Sequence, residues 1–249
     1  MTTAFVDLKI QRRDSAAANP RWEEFRVPYV PGMNVISCLL EIRRNPVTRD
    51  GRPTTPPVWE ASCLEEVCGA CSMVINGTPR QACAALVENL KQPIELRPLT
   101  KFPVVRDLMV DRAKMFAALK RVKAWIPIDG TYDLGPGPRL SAGEQEYAYL
   151  YARCMTCGCC MEACPQYHGG SEFIGPAPLA QVELFNIHPT GAMNRAERLE
   201  QILGPGGITD CGKAENCVQV CPKEIPLTDA LSNLYRAATG QWIKGLFRK

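Results

Sequence analysis

Residues 154–165 read CMTCGCCMEACP, and within them Cys154, Cys157, Cys160 and Cys164 follow the pattern C-x2-C-x2-C-x3-C-P. Four soft thiolates on one short run, closed by a proline, ligate cuboidal iron–sulfur clusters. A second copy lies further on. Cys211, Cys217 and Cys221-Pro222 repeat the spacing of Cys154, Cys160 and Cys164-Pro165, and the position that matches Cys157 holds Ala214. Where two such runs share a protein, the fourth cysteine of each ligates the other run's cluster. That exchange predicts two unequal sites. Cys154, Cys157, Cys160 and Cys221 make a four-thiolate site for [4Fe–4S]. Cys164, Cys211 and Cys217 make a three-thiolate site. A cubane short of one ligand readily loses that iron, so [3Fe–4S] is expected there unless another side chain fills the fourth position.

A third constellation lies upstream. Cys63, Cys68 and Cys71 are spaced C-x4-C-x2-C, with Cys83 as a distant fourth. This is the spacing of a [2Fe–2S] site, in which three thiolates sit on one tight loop and the fourth arrives from elsewhere. Gly69 and Ala70 are small enough to let the loop close around a cluster. Zinc is the competing reading, but zinc motifs come as two short pairs and fit this spacing poorly. Cys38 and Cys159 belong to neither pattern and read as structural thiols. His188, before Pro189, reads as a solvated helix end. His168, close after Cys164-Pro165, is a candidate neighbour of the three-iron site.

The composition agrees with a metal-binding chain. There are 13 cysteines in 249 residues, and the opening MTTAFVDLKIQRRD alternates in polarity with no apolar signal core. Clustered cysteines in such a chain are expected to bind metal rather than to form disulfides. A net charge of +3, without basic blocks, speaks against a nucleic-acid partner. The longest stretch free of charged residues, Val27–Leu40, is interrupted by two prolines and falls short of the roughly 20 residues of a membrane span. The C-terminal WIKGLFRK mixes aromatic and basic residues and reads as a solvated helix end. No nucleophile–base signature and no flavin or nicotinamide fingerprint is present. Three clusters without substrate chemistry describe an electron wire whose donor and acceptor lie on partners.

The cysteines fall into two groups, and the Pro/Gly-rich stretch Pro127–Leu140 between them reads as a connector. The expected division is residues 1–105, a connector over 106–140, and residues 141–249. In the first part, Phe5–Ile10 reads as a half-buried strand with Phe25–Tyr29 as its hairpin partner. Asn34 caps a helix with an apolar stripe of Val35, Ile36, Leu39, Leu40 and Ile42. Asn76-Gly77 turns a hairpin between Ser72–Ile75 and Thr78–Cys83. The last part reads as helical, with a Ser141/Glu144 capping box and helices over Leu179–Ile187, Arg195–Leu203 and Thr228–Ala238.

The stretches VWEASCLEEVCGACSMVINGTPRQAC (58–83), FPVVRDLMVDR (102–112), KAWIPIDGTYDLGPGP (123–138) and NCVQVCPK (216–223), together with the alanine gap, closely resemble the iron–sulfur subunit of succinate dehydrogenase and fumarate reductase, in the form found in Gram-positive, Bacillus-like bacteria. The resemblance implies an α+β fold: a plant-type, β-grasp ferredoxin domain followed by an all-α bacterial-type ferredoxin domain. It implies electrons passing from a covalent FAD on a flavoprotein subunit through [2Fe–2S], [4Fe–4S] and [3Fe–4S] to a quinone. The [2Fe–2S] ligands would face the flavoprotein, and Cys164, Cys211 and Cys217 would face a membrane anchor. Ubiquinone-using relatives carry tryptophans after Cys-Pro and a histidine after the first cysteine of the last run. Here those places hold His168-Gly169 and Gly212. The Bacillus-like form implies menaquinone, a haem-bearing anchor and a place at the cytoplasmic face of the membrane. Subunits of glycolate oxidase or heterodisulfide reductase type also pair bacterial-type runs, but typically lack the C-x4-C-x2-C domain in front. A free ferredoxin would be smaller and more acidic.

Overall fold

The computed structural model describes residues 4–126 and 139–247. Most of the Pro/Gly-rich stretch Pro127–Leu140 of the expected connector, residues 127–138, lies outside them. Two compact units emerge. One comprises the chain up to Arg112 together with Met155–Glu162, and the other runs from Ala113 to Cys154 and from Ala163 onward.

The first unit is built on a five-stranded sheet. Its strands are β1 (Phe5–Arg12), β2 (Arg21–Pro28), β3 (Ser72–Ile75), β4 (Thr78–Gln81) and β5 (Ile94–Arg97), in the order β2-β1-β5-β3-β4. Alternation along β1 turns Val6, Leu8, Ile10 and Arg12 inward. Both strands of the first hairpin are longer than expected, and β2 begins at Arg21. β5 has no counterpart in the sequence reading. It pairs parallel to β1 and antiparallel to β3, and so joins the two hairpins into one sheet.

Helix α1 (Val35–Arg44) buries Val35, Ile36, Cys38, Leu39 and Ile42. Leu40 is exposed rather than part of the stripe, because one residue beyond Leu39 the helix has turned about 100°. Asn34 caps this helix: its Oδ1 accepts from Ser37 N at 2.9 Å. Between β3 and β4, Asn76 (φ 48°) and Gly77 (φ 82°) both take the left-handed conformation that a tight two-residue hairpin needs.

The segment expected to open the connector is instead held in this unit. A small hairpin of β6 (Val104–Arg106) and β7 (Met109–Val110) turns at Asp107, whose buried carboxylate accepts from Arg12 Nε (3.0 Å), Arg13 N (2.9 Å) and Val58 N (2.9 Å). Arg12, fully buried, also pairs with Glu23 and donates to Thr55 O at 3.0 Å. Residues 155–162, expected in the helical part, pack here too. Glu162 is buried and accepts from Thr100 Oγ1 at 2.6 Å and from Lys101 N at 3.0 Å.

The second unit is helical. Its helices are α2 (Ala113–Arg121), α3 (Ala142–Ala152), α5 (Pro176–Ile187), α6 (Arg195–Leu203), α7 (Asn216–Gln219) and α8 (Leu227–Leu246); the short α4 (Cys159–Ala163) contributes only its last residue. The Ser141/Glu144 capping box forms as expected. α5 starts three residues early, on Pro176-Ala177-Pro178, since proline needs no intrahelical partner in a first turn. α8 runs eight residues past its expected end and leaves Trp242 and Ile243 exposed. Helices α5, α6 and α8 pack on one another around Leu179, Val182, Leu199, Ile202 and Leu234. Buried Arg198 donates to the carbonyls of Lys123 (3.0 Å), Trp125 (2.9 Å) and Gly191 (2.6 Å), which ties the turns around α6 to it. Among the described residues, no helix is long and apolar enough to cross a membrane.

Candidate cluster sites

The loop that carries Cys63, Cys68 and Cys71 turns its backbone N–H groups towards sulfur. Cys63 Sγ accepts from Glu65 N (3.4 Å), Val67 N (3.3 Å) and Cys68 N (3.3 Å), and Cys68 Sγ accepts from Ala70 N (3.4 Å). Leu64, Glu66 and Gly69 take positive φ to make this winding. Those amides pull the Cys63 thiol down to about 7, with Glu65 N–H the largest cause. Only glycine fits at position 69. A Cβ there would lie 2.8 Å from the Cys157 backbone and 2.9 Å from Met155 O, and the φ of +72° is left-handed as well. Arg112 donates to Ala70 O at 2.9 Å and holds the loop from behind.

The fourth thiol comes from just beyond β4. Cys83 is buried beside buried Cys71, and burial is the main reason Cys71 is pushed up to about 12. Cys63 in turn contacts Cys68. An array of soft thiols ringed by amide N–H groups fits a cluster whose sulfurs carry negative charge.

The first bacterial-type run is divided between the units. Cys157 and Cys160 lie buried in the first, while Cys154 and Cys221, both half-buried, lie in the second. Cys157 is pulled down to about 7, chiefly by a hydrogen bond from Cys159. Cys159 is correspondingly pushed up. Cys38 sits in the core under α1, pushed up to about 12 by burial, as a structural thiol should be.

The second unit brings Cys164, Cys211 and Cys217 to one cavity of about 390 Å³, walled also by Phe173, Leu231 and Tyr235. Ala214 lines the same cavity. The loop around it winds through left-handed residues at Lys213 (φ 53°) and Glu215 (φ 61°). Asn216 donates to Ala163 O at 3.1 Å and pins the second run to the end of the first. Tyr235 on α8 donates to Ile208 O at 2.7 Å and props the chain leading to Cys211. Burial pushes Cys217 up to about 11, with Cys164 and Cys211 as the charged neighbours. Three thiols and a methyl group on one cavity fit a cluster with three protein ligands. At Gly212 an added Cβ would meet the side-chain end of Gln166, with Nε2 2.5 Å away, and that side chain would have to swing aside. His168 is exposed and is not part of the cavity wall. His188 caps α5 and is half-buried rather than solvated; its Nδ1 accepts from Gly191 N at 3.3 Å. Among the described residues, no three His, Cys, Asp or Glu side chains form a site for a single metal ion.

Comparison with known proteins agrees with this geometry. Residues 7–117 match the 2Fe-2S iron-sulfur cluster binding domain family, and residues 151–225 match the 4Fe-4S dicluster domain family. The fold and the thiol sites thus define an iron–sulfur electron-transfer protein with a β-grasp-like half and a helical half. The chain is 59% identical over 238 residues to the succinate dehydrogenase iron-sulfur subunit of Bacillus subtilis, covering 96% of this chain and 94% of the relative. It is 30% identical over 226 residues to the fumarate reductase iron-sulfur subunit of Wolinella succinogenes, covering 89% and 91%. A chain of the Mycobacterium smegmatis Sdh1 complex in the apo form shares the fold, with a TM-score of 0.79 at 22% identity over 96% of this chain and 98% of that one. The chain belongs to the family of succinate dehydrogenase and fumarate reductase iron–sulfur subunits.

Proposed function

We propose that this subunit is the electron wire of a succinate:quinone oxidoreductase, joining FAD on a flavoprotein subunit to a quinone at a membrane anchor. Cys63, Cys68, Cys71 and Cys83 hold [2Fe–2S]. Cys154, Cys157, Cys160 and Cys221 hold [4Fe–4S]. Cys164, Cys211 and Cys217 hold [3Fe–4S]. Bound there, the clusters supply one-electron carriers between the two-electron chemistries of succinate and quinone. The chain's own residues position the thiolates, supply amide N–H groups to the sulfurs of Cys63 and Cys68, and wall the cavity of Cys164, Cys211 and Cys217 with Phe173, Leu231 and Tyr235. The observation that carries the reading is the placement of Ala214 on the cavity shared by Cys164, Cys211 and Cys217, at the position where the second cysteine run departs from the first.

The quinone is menaquinone and the anchor carries haem; the support is 59% identity to the Bacillus subtilis subunit and Gly212 where ubiquinone-using relatives are expected to have histidine. The subunit then sits at the cytoplasmic face of the membrane, held by the anchor. The division into residues 1–105, 106–140 and 141–249 is retained for the ligand groups, with residues 106–112 and 155–162 packing in the first unit. The test is the complex purified from its native membrane. Three distinct cluster EPR signals and faster succinate-dependent reduction of menaquinone than of ubiquinone are expected. Only two cluster signals, or a preference for ubiquinone, would contradict the assignment.

A further inference from the structure

Helix α8 outlasts the core it packs on. Its buried residues, Leu227, Ala230, Leu231, Leu234 and Ala238, stop at Ala238, yet the helix continues to Leu246. None of the side chains described after Ala238 is buried. Helical turns without a packed face are marginal on their own in water. These turns are not polar either. Trp242 is 58% exposed, Ile243 44% and Phe247, at the C-cap, 83%. At 100° per residue the three fall within an arc of about 140°, turned away from the buried stripe.

The charge of this end has one sign. The 20 residues after Asp229 hold Arg236, Lys244, Arg248 and Lys249 and no aspartate or glutamate. Lys244 lies about 60° beyond the edge of the apolar arc. An apolar protein surface would cover the arc but leave these cations uncompensated. A bilayer with anionic headgroups satisfies both: aromatic and aliphatic side chains enter the boundary between headgroups and acyl chains, and the lysine reaches back to phosphate.

We propose that the C-terminal end of α8 is a lipid-binding tip, with Trp242, Ile243 and Phe247 seated in the interface of a bilayer and Lys244 paired with anionic headgroups. The solvated end expected for WIKGLFRK is then a membrane contact that this chain makes itself, besides any hold by an anchor subunit. The same helix walls the three-thiol cavity through Leu231 and Tyr235. From Tyr235 to Trp242 it rises about 10 Å, so a seated tip keeps that cavity near the bilayer. The inference does not depend on which clusters the thiols hold.

Sedimentation of the full-length chain, carrying its clusters, tests the tip against vesicles of phosphatidylcholine alone and of equal parts phosphatidylcholine and phosphatidylglycerol. Binding to the mixed vesicles is expected to be about tenfold tighter or more, and to weaken with salt. Trp242→Ala combined with Phe247→Ala lowers that affinity about tenfold or more at unchanged iron content. Lys244→Glu cuts the preference for phosphatidylglycerol severalfold, and carries the test should the double variant not assemble. Phe116→Ala, which removes an exposed ring on α2, leaves binding unchanged. No binding to either vesicle, or binding that the tip variants do not alter, overturns the proposal. So does a double variant that fails to join its anchor subunit when the parent chain binds no vesicles, since the arc then belongs to a protein partner. Neither failure touches the cluster assignment.

Discussion

Ala214 faces the cavity it shares with Cys164, Cys211 and Cys217, and its methyl group offers iron nothing to bind. A cysteine there completes the second run. Ala214→Cys is therefore expected to convert [3Fe–4S] to [4Fe–4S]: the oxidised-state EPR signal of the three-iron centre disappears and iron rises by about one atom per chain. Quinone reduction slows with it as the terminal potential falls. A correctly folded variant that keeps its three-iron signal would sink the offset-copy argument. The cysteine runs could be read from the sequence as candidate ligands because spacing along the chain is what cluster chemistry constrains. The surroundings of Cys159 could not. Its donor, Gln81, stands 78 residues away and reaches it only through the fold.

Elements were legible where their signals are local. Asn34 and Ser141 cap the helices they announce, and Asn76-Gly77 turns its hairpin. β5 went unread because four residues after Pro93 carry little periodicity of their own; long-range pairing with β1 and β3 makes them a strand. Residues 106–112, which finish the β6–β7 hairpin, and α2 fall in the expected connector, although Asp107 anchors the hairpin from a buried position. Asp107→Ala leaves the Arg12 guanidinium buried without that partner. It is expected to cost about 3–5 kcal/mol, seen as a lowered unfolding temperature of the [2Fe–2S] half. In the helical unit, Glu183 of α5 accepts from Asn233 of α8 at 3.0 Å beside Tyr147 of α3, and burial pushes its carboxyl above the usual glutamate range. The fold therefore favours the protonated acid, and stability falls as pH rises from the ordinary glutamate value through the raised one. Glu183→Gln should flatten that slope in thermal unfolding followed from acid to neutral pH. An unchanged slope would place the pH dependence elsewhere.

At the scale of the molecule, a subunit that relays electrons takes them from one partner and passes them to another. Reconstituted with iron and sulfide, the isolated subunit is expected to show all three cluster signals and no reduction of dye by succinate. Turnover by the chain alone would overturn the wire. The expected division puts residues 155–162 in the helical part, whereas they pack in the first unit, and nothing local marks them as companions of the sheet. That packing has a consequence for synthesis. The sheet, the small hairpin and the loop around Gly69 leave the ribosome first, but the backbone at Met155 and Cys157 that closes on Gly69 is made only after the whole of α3. A nascent chain halted before Glu162 holds an unfinished first half, so the order of translation is not the order of completion.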